Sequence, residues 1–268
     1  RLLLIFLLPM NALLAQTWKT PLQAGGNYIT TTINNFYFTS ATQGWAVGPA
    51  GTILVTSNGG INWAAQTSGT FENLASVYFT SATQGWVVGN NGTILVTNNG
   101  GATWTAQTSG SINSLTNVYF TSSTQGWAVG ASGTILVTSN GGTTWTAQTS
   151  NTTQNLFNVN FVSATQGWAL GGGGTILVTS NGGTTWAAQT SGTTQILYGV
   201  SFVSATQGWV VGNTGTILVT SNGGTTWTAQ TSGTTSGIRS VYFTSPTQGW
   251  AVGASGTILV TSNGGTTW

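Results

Sequence analysis

Tryptophan returns along this chain on a fixed spacing. The Gln-Gly-Trp tryptophans are Trp45, Trp86, Trp127, Trp168, Trp209 and Trp250, each 41 residues after the last. A second set, Trp63, Trp104, Trp145, Trp186, Trp227 and Trp268, keeps the same interval of 41. Six copies without an insertion between them require a fold assembled from like units. Each copy holds four short runs of β-branched and aromatic residues, separated by turns containing Gly or Asn, which predicts four strands, A to D. In the second copy these are SVYFTS (76–81), GWVVG (85–89), GTILVT (92–97) and TWTAQTS (103–109). Strand C is apolar at successive positions, so burial of both its faces is expected. That condition is met when small sheets stack face to face around an axis. β-Solenoid rungs are shorter than this period. The expected fold is all-β: a β-propeller of four-stranded antiparallel blades, with six 41-residue repeats visible.

The repeats assign residues 16–268 to the propeller. Residues 16–21 (QTWKTP) resemble the start of a strand D and are expected to close the last blade of a six-bladed ring. The sequence begins without Met and stops inside the repeated motif. A fragment is therefore expected, and a seventh blade is open if the chain continues. Residues 1–15 carry Arg1 and then an apolar stretch to Ala15, too short for a span of about 20 residues. They read as a signal peptide cleaved before Gln16. The expected location is secreted, periplasmic or cell surface, with no transmembrane span in the mature chain. The absence of Cys suits an exported protein that needs no disulfides.

Composition narrows the chemistry. Arg1, Lys19, Glu72 and Arg239 are the only charged side chains, and Asp, His and Cys are missing. Three scattered cations cannot neutralise a run of phosphates, which excludes nucleic acid as a partner. With Glu72 the sole carboxylate, no acid/base pair for glycoside hydrolysis can form, and a Ser nucleophile has no relay. The ligands of a metal site are lacking, so neither metal nor cofactor is expected and the chain is read as no enzyme.

The second tryptophan set ends a motif, TSNGGINW at 56–63 in the first copy, that resembles the Asp-box hairpin of bacterial neuraminidases and sortilin-type receptors. Asn58, Asn99, Asn140, Asn181, Asn222 and Asn263 stand where that motif has Asp. Asn also bonds its own backbone two residues on, so the turn is expected to survive, with the two following glycines supplying positive φ. Its tryptophans are read as structural, packed between sheets. The fuller repeat, GWAVG..GTILVTSNGGTTW, resembles the photosystem II stability and assembly factor family over nearly the whole chain from Trp18. The resemblance implies an exported, non-catalytic propeller that binds or scaffolds a macromolecule. It also implies seven blades and a basic docking surface, whereas this chain shows six copies and offers only Lys19 and Arg239.

Antiparallel alternation puts the A–B and C–D connections at one end of each blade and B–C and D–A at the other. The first pair barely changes between copies. The second pair drifts: one D–A position reads Asn34, Ala75, Thr116, Phe157, Tyr198 and Arg239. A rigid scaffold with variable loops at one end is a common way to build a binding surface. The candidate binding residues are Glu72, Asn90, Asn91, Asn113, Phe157, Tyr198 and Arg239, and the expected partner is a protein or a cell-surface glycan. Tyr37, Tyr78, Tyr119, Asn160, Ser201 and Tyr242 of strand A are expected to face the channel, chiefly as packing.

Overall fold

A computed structural model describes residues 32–268. The expectations for residues 1–15 and 16–21 lie outside this range. The first sheet is formed by β1 (Asn35–Phe38), β2 (Gly44–Val47), β3 (Ile53–Thr56) and β4 (Ala64–Gln66). The second holds β5 (Leu74–Phe79), β6 (Gly85–Gly89), β7 (Ile94–Thr97) and β8 (Thr105–Gln107). All pairings are between consecutive antiparallel strands, and three further four-stranded sheets repeat the pattern. The sixth sheet has three strands among the described residues, Ile238–Phe243, Gly249–Gly253 and Ile258–Thr261. The chain is a β-propeller.

The core lies between blades rather than within them. In the described residues, five apolar clusters join successive blades, and strand C serves two at once. Ile94 packs into the cluster with blade three while its neighbour Leu95 packs into the cluster with blade one. The successive apolar residues of this strand are explained by that double burial. Each interface is keyed by one tryptophan. Trp45, fully buried, stacks on Phe79 of the next blade with centroids 3.6 Å apart, and the stack recurs four more times at 3.4–3.6 Å.

Polar groups register the blades. Thr97 Oγ1 accepts from Gly101 N at 2.8 Å and donates to Asn99 Oδ1 at 2.9 Å, and that oxygen also takes Thr103 N at 2.9 Å. Asn99 therefore closes the C–D hairpin without a charge, and its amide group donates to Thr103 Oγ1 at 2.9 Å. The hairpin then docks on blade one. Trp45 Nε1 and Gln66 Nε2 both donate to Gly100 O, at 3.1 and 3.0 Å, while Gln66 Oε1 accepts from Trp104 Nε1 at 3.2 Å. Trp104 meets Phe79 of its own blade edge-on, at 6.0 Å and 88°. The motif tryptophan is thus a clamp between a hairpin and the preceding blade's strand D.

The equivalent bridge at the next interface, Gln107, accepts from Trp145 Nε1 at 3.2 Å and donates to Gly141 O at 3.2 Å. Gln107→Ala leaves the nearly buried indole N–H without its acceptor. A loss of about 1–3 kcal/mol is expected, read as a lower urea midpoint with unchanged m-value.

Candidate partner-binding face

The two ends of each blade are distinct. At one end the C–D hairpin bonds the A–B loop, as in Gly100 N donating to Thr83 O at 2.8 Å. At the other the D–A loop threads between B–C turns. Glu72 illustrates it: its carbonyl accepts from Gly51 N at 2.7 Å in blade one, and its Oε1 accepts from Asn91 Nδ2 at 3.0 Å in blade two. Each B–C turn has its middle residue in left-handed backbone, with φ of 52° at Asn91. Asn tolerates that region better than the Ala50 or Thr214 that other copies place there.

The drifting position is a β-bulge. Leu74 pairs with Gly89 and Ser76 with Val88, so Ala75 has no partner in strand B. The same register shift passes over Thr116, Phe157, Tyr198 and Arg239 in the following blades. A bulged residue is freed from the ladder and its side chain is re-aimed. Here it turns to the neighbouring blade. Thr116 Oγ1 donates to Leu156 O at 2.6 Å. The rings of Phe157 and Tyr198 tilt against each other at 5.5 Å, and the Arg239 guanidinium sits 4.0 Å above the Tyr198 centroid. Three of the sequence-derived candidates, on blades four to six, therefore form one continuous aromatic and cationic track. Phe157 and Tyr198 are half-buried and Arg239 is exposed. The flat guanidinium over a ring leaves its N–H edge available for a carboxylate or a carbonyl.

The other candidates separate from this track. Glu72 and Asn91 form their own pair in blades one and two. Asn113 is used internally, its Nδ2 donating to Thr134 Oγ1 at 2.8 Å. Asn90 is half-buried, its backbone fixed to Asn73 O at 2.9 Å. Two exposed residues at this end escaped the sequence reading: Phe71, 94% exposed, and Ile112, 88% exposed. The signal was present, since later copies hold Thr153, Thr194 and Thr235 there.

The strand-A tyrosines form a ladder. Tyr37 and Tyr78 have centroids 4.8 Å apart, Tyr78 and Tyr119 5.0 Å, and Tyr119 Oη donates to Phe161 O at 2.9 Å. Burial pushes all three phenols above their usual value, and the adjoining phenols add to the shift at Tyr78. They pack, as expected, and also occupy the inner edge of strand A, which has no further strand beside it. Asn35 and Asn117 act likewise, accepting from Val77 N at 3.4 Å and Val159 N at 3.2 Å. Outside the track, three equivalent grooves beside the D–A loops hold about 620, 770 and 960 Å³, lined by hydroxyl, amide and apolar groups without a charge. No cluster of metal-ligating side chains occurs among the described residues.

The geometry is shared with known propellers. YCF48 from Cyanidioschyzon merolae superposes with a TM-score of 0.73 at 22% identity, over 89% of this chain and 84% of that one. A GH74 enzyme from Niastella koreensis (TM-score 0.68, 17% identity) and a GH74 xyloglucanase from Xanthomonas campestris (0.71, 10%) are covered by 86% and 88% of this chain. This chain spans only 45% of each of those enzymes. A search of curated proteins finds no match. The family described as photosynthesis system II assembly factor YCF48 matches residues 12–108, 106–180 and 178–268. Repeats, fold and this match together show that the chain belongs to the photosynthesis system II assembly factor YCF48 family.

Proposed function

We propose that the chain is a non-enzymatic binding propeller, exported from the cytoplasm, whose bulge track holds a protein partner while a larger complex is assembled. The observation that carries this reading is the convergence of Phe157, Tyr198 and Arg239 from three blades into one track. Aromatic and Arg side chains dominate the energetics of protein interfaces. Family membership supports an assembly role. A hydrolytic role like that of the GH74 enzymes is disfavoured because Glu72 has no second carboxylate to work with. The uncharged grooves favour one second reading, a module holding neutral glycans at the cell surface through Asp-box-type repeats.

The test is affinity capture from the source organism's envelope extract, with the parent chain beside a Phe157→Ala, Tyr198→Ala, Arg239→Ala variant. A defined protein retained by the parent and reduced at least about tenfold in the variant is the expected result, since a hot-spot truncation costs 2 kcal/mol or more. Equal capture by both chains removes the bulge track from consideration, and retention of polysaccharide alone moves the function to the grooves.

A further inference from the structure

The D–A loops share a backbone and differ at their outermost residue. Phe71 and Ile112 occupy that place in two adjacent loops and are 94% and 88% exposed. Both are held out by ordered chain. Buried Ser68 and Ser109 donate to the carbonyls of Thr70 and Ser111 at 3.2 and 3.1 Å. The hydroxyls of Thr70 and Ser111 then accept from the backbone N–H just beyond each tip, both at 3.1 Å. Each tip is therefore a large apolar side chain on a braced loop, flanked by small or neutral neighbours apart from Glu72.

Two separate convex pegs amid hydroxyl and amide groups match a fluid apolar phase beneath a layer of hydrogen-bonding headgroups. The charges at this end agree. Glu72 is bonded to Asn91, and Arg239 lies on Tyr198, so among the described residues one anion and one cation leave the end neutral. Among the described residues no helix is long and apolar enough to cross a membrane, and peripheral seating needs none. We propose that Phe71 and Ile112 insert into the surface of a zwitterionic lipid bilayer and seat this end of the propeller on the membrane. This goes beyond the partner reading and uses different residues, so either can fail alone.

The test is co-flotation of the full chain with phosphatidylcholine vesicles. Phe71→Thr and Ile112→Thr install the residue that later copies carry at this position, so the fold is retained. Each replacement lowers the partition coefficient about tenfold, in line with the transfer of one large apolar side chain, and the low- and high-salt values agree. Because the chain has no Cys, Phe71→Cys carrying an environment-sensitive dye reads the tip directly, whatever other segment reaches lipid. A blue shift on adding vesicles is expected. An unshifted dye, equal flotation of parent and double variant, or binding that needs anionic lipid overturns the proposal. So does a dimer that the same substitutions dissociate without any flotation, which would mean a second copy covers the tips.

Discussion

Trp127→Ala is expected to cost about 4 kcal/mol or more, within the range for emptying a buried aromatic site. Trp127 is fully buried, stacks on Phe161 with centroids 3.5 Å apart and 13° between planes, and its Nε1 donates to Gly182 O at 3.0 Å. Alanine removes the transfer energy of the indole, a ring stack of about 0.5–1.5 kcal/mol and a hydrogen bond across the interface. The loss falls on the single cluster between blades three and four. Because repeats are stabilised chiefly by nearest neighbours, the damage is expected to open the propeller at that interface, so that the blades beside it unfold in a transition of their own. Trp127→Phe keeps a ring and loses the bond, so it is expected to fall between parent and alanine. Urea unfolding followed by circular dichroism, with calorimetry for the second transition, measures both effects. A single transition with a change below about 1 kcal/mol, the level of an ordinary surface substitution or a little more, refutes the keying role of this residue.

The second large effect is alkaline. A phenol is neutral when protonated, and burial raises the values of Tyr37, Tyr78 and Tyr119 in the folded chain. Above the ordinary phenol value of about 10, the unfolded chain releases protons that the folded chain keeps. Stability is therefore intact below that pH and falls as pH rises toward the folded values. Each tyrosine held neutral contributes a slope of about 1.4 kcal/mol per pH unit. Three together give about 4 kcal/mol per unit, set against the 5–15 kcal/mol of a typical domain. Unfolding is therefore expected to begin above about pH 11, with phenolate absorbance appearing together with loss of structure. Tyr78→Phe keeps the ring and removes one titrating group, so the slope drops by about one third. A slope that does not change places the ladder outside the alkaline transition.

Much of this fold was legible because the period carries it. A repeat of 41 fixed the blade, and successive Ile-Leu-Val residues announced a strand buried on both faces, as Ile94 and Leu95 show. Antiparallel alternation alone separated the two ends, and the drifting column was visible by comparing copies. What remained hidden depends on register and on distance across blades. Nothing local marks Ala75 or Tyr198 as bulged, because the shift exists only relative to strand B. Gln66 reads as an ordinary strand-D residue until the next blade brings Gly100 and Trp104 to it, 34 and 38 residues on. Asn113 drifts between copies like a surface ligand, yet its amide is bound to Thr134. Phe71 and Ile112 were concealed in another way, since a large apolar residue in sequence suggests burial, and only the Thr that later copies carry at this position points the other way.

The bulge has a consequence for how such a protein changes over generations. A residue with no ladder partner contributes little to closing the blade, so Ala, Thr, Phe, Tyr and Arg all serve at this bulge of one repeat. Substitution in that column alters the surface of one end while the tryptophan stacks that key the blades together stay untouched. Duplication of a blade then adds a new letter to the surface and a proven joint to the scaffold in the same event.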